Sequence, residues 1–200
     1  MQQKNTFVII LILFALASII SCTTDMTPKP NGYPRIIFPE KRTVIDYSDP
    51  DCPYSFQIPD YYLIDKNVTF FNEKPEDPCW INLVCSDLNA TIYLSYKQLQ
   101  SDTSLQKLIE DTYKLTYKHS ERADFIEPQQ IENQYGVQGM IYFVGGDAAS
   151  NFQFFITDTT SNFVRGALYF YSRPNGDSLK PVVRFMVNDI ENMISTWRWK

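Results

Sequence analysis

Hydrophobic positions along this chain change period several times. An unbroken apolar run, FVIILILFALASII (residues 7–20), opens it. From residue 54 the period becomes two, the mark of a half-buried strand. YSFQI (54–58) alternates and ends at Pro59, and YYLIDKNVTFF (61–71) predicts a second strand. CWINLVC (79–85) and ATIYLSYK (90–97), separated by SDLN, predict a hairpin in which Ala90, Ile92, Leu94 and Tyr96 share a face. The period then becomes helical over Thr103–His119, through Leu105, Leu108, Ile109, Thr112, Leu115 and Thr116, with Thr103 and Gln106 as a capping box. A weak strand interrupted by Pro128 is predicted over 125–132, and strong ones over 138–144, 151–157 and 162–171. Gly145-Gly146-Asp147 and Asp158-Thr159-Thr160-Ser161 supply the turns between them. A terminal helix opens at Asp177-Ser178, has Pro181 in its first turn and lines up Val182, Met186, Ile190, Met193 and Trp197. The sum is an α+β domain: a single twisted antiparallel sheet with two long helices packed on it.

The opening run is shorter than the roughly 20 apolar residues a spanning helix needs. With Lys4 ahead of it and Ser21 after it, it reads as a secretory signal peptide. Ile19-Ile20-Ser21-Cys22 resembles a bacterial lipobox, with Ile19 where Leu is usual. There the signal is cut before the cysteine and the cysteine is acylated. Several acyl chains make a stable anchor, because each buried methylene contributes about 0.8 kcal/mol. The expected organisation is a signal peptide over 1–21, a lipidated Cys22 with a flexible tether over 22–34 (Pro28, Pro30, Pro34, Asn31-Gly32), and one domain over 35–200.

Charge narrows the partners. A formal charge of -5 disfavours nucleic acid and anionic headgroups. Export permits disulfides among Cys52, Cys79 and Cys85. Residues six apart on one strand sit roughly 20 Å apart, so Cys79 and Cys85 cannot pair; Cys52 pairs with one of them or with neither, and we favour Cys79. Metal binding has no C-x-x-C pair to build on.

Candidate chemistry is sparse. His119 is the only histidine and the first candidate for a general base, but no nucleophile elbow or phosphate loop accompanies it. We read it as a surface or interface residue. Asp46, Asp49 and Asp51 lack the spacing of a calcium loop and read as a solvated turn. Asp147, Ser150 and Arg165 flank two aromatic strands and form a candidate partner surface. Phe152, Phe154 and Ile156 point one way, and Gln153, Phe155 and Thr157 the other, which implies a sheet covered on both faces or an exposed apolar patch. We expect coverage.

CPYSFQIPDYY (52–62), CWINLVCSDLNATIYLSYK (79–97), YKLTYKHSERAD (113–124), GGDAASNFQFFITDTTSNFVRGALYFYSRPNGDSL (145–179) and the RWK ending together resemble the gliding motility lipoprotein GldD family. That family pattern also has cysteines at Cys52 and Cys79, which supports their pairing, while Cys85 departs from it. The resemblance implies a non-enzymatic lipoprotein without a cofactor. It would be held at a membrane by its lipid, face the periplasm, and contact other envelope proteins of the gliding and secretion apparatus. The element order and the Phe56-Gln57-Ile58-Pro59 opening also resemble the Mog1/PsbP-type fold. A periplasmic module binding a peptide, lipid or glycan fragment is the alternative reading.

Overall fold

A computed structural model describes residues 35–40, 43–66, 75 and 77–200. The signal peptide, Cys22, the tether through 34 and the 67–71 part of the second predicted strand lie outside these residues. Residues 36–200 form one unit.

The predicted hairpins become a seven-stranded antiparallel sheet. Its strands are β3 (Leu63–Asp65), β4 (Ile81–Cys85), β5 (Ala90–Gln98), β6 (Ile126–Glu132), β7 (Gln138–Val144), β8 (Phe152–Thr157) and β9 (Asn162–Phe170), in the order β3-β4-β5-β9-β8-β7-β6. Between β5 and β6 runs helix α1 (Asp102–Tyr117), followed by a 3₁₀ turn over Lys118–Glu121; helix α2 (Gly176–Thr196) follows β9. A second, three-stranded sheet was not foreseen. It joins β1 (Val44–Ser48), β2 (Tyr54–Pro59) and β10 (Arg198–Trp199) in the order β1-β2-β10. The YSFQI strand therefore belongs to this sheet. Its central position explains the full burial of Tyr54, Phe56 and Ile58.

Covered faces explain the aromatic density. Phe152, Phe154 and Ile156 lie in the core that α2 closes with Met186, Ile190 and Met193. Phe155 and Phe163, stacked with ring centroids 5.4 Å apart, form a smaller core under Leu105, Leu108 and Ile109 of α1. Burying each such ring contributes about 1.5–3 kcal/mol. Gly166 makes the packing of β8 on β9 possible, since a Cβ there would lie 2.0 Å from Phe154 Cζ.

Several local expectations need correction. The N-cap of α1 is Ser101, and its side chain makes no capping bond; the Thr103–Gln106 box is absent because the helix begins before Thr103. Leu115 is 41% exposed, one position off the i, i+4 stripe through Leu108, Thr112 and Thr116. Helix α2 starts at Gly176, where Asn175 accepts a bond from Ser178 N at 3.0 Å, slightly earlier than expected, so Pro181 falls in the second turn rather than the first. β6 runs through Pro128 unbroken. It is an edge strand, where outward amides need no partner and proline is tolerated. Asn133, in the β6–β7 turn, donates to Ile194 O (2.8 Å) and Trp197 O (3.0 Å), capping the orphan carbonyls at the end of α2.

Candidate functional site

β9 is the central strand of the large sheet, and Arg165 stands on its α1 side. Register fixes its surroundings: Arg165 lies opposite Phe155 of β8 and Ser95 of β5, and Ala167 opposite Gln153 and Tyr93. The small Ala167 leaves room for the guanidinium to lean across to Gln153, where Nη2 donates to Oε1 at 2.5 Å. Thr116 of α1 donates to the same oxygen at 3.3 Å. Gln153 and Thr116 are fully buried. Burial pushes the Arg165 pKa down, partly offset by nearby Tyr169. His119, half-buried on the 3₁₀ turn, is held below the usual histidine range by its own burial and then by the Arg165 charge.

The site combines an enclosed cation with unused donors. Among the described residues, Gln153 Nε2 and Arg165 Nε find no acceptor. Among the described residues no carboxylate offsets the guanidinium charge. Buried polar groups in folded proteins nearly always have partners. Beyond Ala167 lies an aromatic face: the rings of Tyr93 and Tyr169 meet edge-on at 5.7 Å, and the Tyr93 and Tyr171 hydroxyls lie 2.5 Å apart. Tyr171 is 65% exposed.

The candidate partner residues are dispersed. Asp147 is exposed, and its Oδ1 accepts from Gly176 N at 2.8 Å, tying the β7–β8 loop to the start of α2. Ser150 must be corrected as a surface residue: its side chain is enclosed and donates to Phe152 O at 3.4 Å. Arg165 offers a cation and Asp147 a carboxylate, on different parts of the fold. Gln153, Tyr93, Tyr169 and Tyr171 were missed as its companions, although period two already puts Gln153 opposite the Phe152 face.

Elsewhere polar groups hold the fold. Asp189, buried on α2, accepts from Tyr61 and, at 3.3 Å, from Tyr62. Burial foremost, then the Asp189 interactions, push both tyrosine pKa values up. Cys85 is a free thiol under the same helix, and burial raises its pKa, which suits an inert core residue rather than a nucleophile. Cys52 and Cys79 form a disulfide with Cα atoms 5.5 Å apart, and Tyr54 donates to Cys79 O at 2.6 Å. Asp46 lies on β1, not in a turn, and accepts from Gln57 Nε2 at 2.8 Å; Asp49 pairs with Lys66. Among the described residues no three His, Cys, Asp or Glu side chains converge as metal ligands, and no helix is long and apolar enough to cross a membrane.

No curated protein matched the sequence. The chain is similar to the solution structure of cyanobacterial PsbP (CyanoP) from Synechocystis sp. PCC 6803, at 13% identity and a TM-score of 0.44, over 86% of this chain and 100% of that one; so distant a likeness says nothing about function. The family described as gliding motility lipoprotein GldD matches residues 23–199. The match begins directly after Cys22 and takes in both sheets and both helices, and the chain belongs to the gliding motility lipoprotein GldD family.

Proposed function

We propose that this lipoprotein serves the gliding apparatus from the periplasmic side of a membrane, held by lipid on Cys22, and acts through contact with other envelope proteins rather than by catalysis. The family match over residues 23–199 carries this reading. The position of Cys22, one residue before the match and after the apolar run, supports lipid anchoring.

The chemistry of the domain supports a non-catalytic role. A general base works with a proton donor in reach and a pKa near the working pH. His119 instead is held below the usual histidine range by its own burial and then by the Arg165 charge. Cys85, the free thiol among the described residues, is buried with a raised pKa. What reaches the surface is an aromatic face beside a cation, the composition of a protein-contact surface.

Single-cell gliding tests the reading in a strain lacking the gene, complemented with the native gene or with Cys22→Ser at matched protein level. Rescue by the native gene alone is expected. Normal gliding without the gene would overturn the functional assignment, and full rescue by Cys22→Ser would overturn the anchor.

A further inference from the structure

We infer that the Arg165 site receives an acidic side chain, aspartate or glutamate, from an extended segment of a partner protein laid across the Tyr93–Tyr169 face. The inference presupposes the protein-contact reading above and names the chemistry of the contact.

Four observations carry it. First, the half-buried guanidinium lacks a charge partner: Nη2 donates to Gln153 Oε1, which Thr116 shares, Arg165 Nε is enclosed, and no carboxylate pairs with the guanidinium among the described residues. A carboxylate complements the charge of the part of the guanidinium that is not enclosed. Second, the charge deficit is single. Among the described residues this guanidinium has no carboxylate partner and the chain is acidic overall, at -5, which suits a monoanion better than a phosphate. Third, β9 is the fourth of seven strands. A ligand must cross the sheet face to reach Arg165, so a side chain reaching down from a crossing segment fits better than a chain end. Fourth, the crossing path is paved with half-buried Tyr93 and Tyr169, half-buried Asn82, Val84 and Ser95, and exposed Tyr171. Tyrosines supply large contact area at low entropy cost.

The test uses the full lipidated chain in detergent micelles, with the Arg165 Nε–H resonance as readout. The probes are a blocked alanine peptide with one central aspartate, the same peptide with asparagine, an alanine peptide with a free terminal carboxylate, and inorganic phosphate. The aspartate peptide is expected to shift the resonance and the asparagine peptide to leave it. Binding, followed through the Tyr93 and Tyr169 resonances, should weaken on the order of 30-fold in Arg165→Gln. If Arg165→Gln fails to fold, Gln153→Glu decides. It matches Gln153 in size and fills the site from within, so it should fold, move the Arg165 resonance without ligand and abolish peptide binding. Equal response to aspartate and asparagine, no response up to millimolar peptide, or stronger response to the free terminus or to phosphate would each overturn the inference. Failure here is separable from failure of the functional reading. Binding of the aspartate peptide by a protein whose Arg165→Gln form still supports gliding upholds the site and removes its role in gliding. Loss of gliding in Arg165→Gln with no carboxylate binding removes this inference and leaves the protein-contact reading standing.

Discussion

Trp197, just past the end of α2, lies flat on Phe56 of β2, with ring centroids 4.9 Å apart and planes 11° from parallel. It also stacks on Tyr54 at 4.8 Å. The last turn of the long helix is thereby fixed to the small sheet, and β10 continues from it to pair with β2. Since Trp197 is fully buried, Trp197→Ala should cost about 3–5 kcal/mol. For a domain of this size that lowers Tm by about 6–20 °C. Thermal unfolding followed by circular dichroism checks it.

The disulfide closes a loop with a sequence separation of 27. Chain-entropy arguments give about 3–4 kcal/mol for such a loop. Reductant, or a Cys52→Ser, Cys79→Ser double variant, should therefore lower Tm by roughly 10 °C. Cys85 should react with a thiol reagent only on unfolding, because it is buried. Counting reactive thiols in the native and unfolded chain checks this.

Gly166 and Phe154 face each other across β8 and β9. Gly166→Ala should destabilise by about 1–3 kcal/mol through overpacking, since the new methyl would meet the Phe154 ring. Phe154→Leu costs core contacts by itself, yet added to Gly166→Ala it should cost less than the sum. A double-mutant cycle in denaturant reads that coupling; strict additivity would mean the ring does not set the need for glycine.

Two groups shape successive parts of the acid side of the pH profile. His119 has a folded pKa below its unfolded value of 6.5, so its stability is present above pH 6.5 and is lost as pH falls toward the folded pKa. As the only histidine, it should account for most of the Tm slope between about pH 5.5 and 7, and His119→Gln should flatten that slope. Asp158 acts lower. Burial pushes its carboxyl up, but bonds from the Ser161 and Asn162 amides, the Asn162 side chain and the Thr160 amide bring it below 3.8. Its contribution is present above that value and lost as pH falls through the lower folded pKa. Asp158→Ala should remove that loss at the acid end of the profile.

Much of the fold was legible because period and turn chemistry agreed. Alternation through Ala90, Ile92, Leu94 and Tyr96 identified the inner face of β5, and the Gly and Asp turns delimited β7 to β9. The small sheet was hidden because β1 has four exposed residues of five and β10 spans two residues, too little for any period to register. The start of α2 was misplaced because Asn175, not Asp177, makes the capping bond. At the candidate site the chain suggested Arg165 but not its setting. The pairing of Ala167 with Gln153 and Tyr93 joins the β8–β9 hairpin to β5, which is distant in sequence, and only the register brings the three residues together. Ser150 misled because a small polar loop residue looks exposed until Phe152 O is found to accept its hydroxyl.

The most direct test of contact-based function is photocrosslinking in living, gliding cells, with a photoreactive phenylalanine in place of exposed Tyr171. The account predicts one discrete protein adduct in cells that glide, lost together with gliding when Arg165→Gln or Cys22→Ser is added at matched protein level. Cells that glide at normal speed with no protein adduct would contradict it; an adduct that survives Arg165→Gln unchanged would remove Arg165 from the contact and leave the contact reading standing.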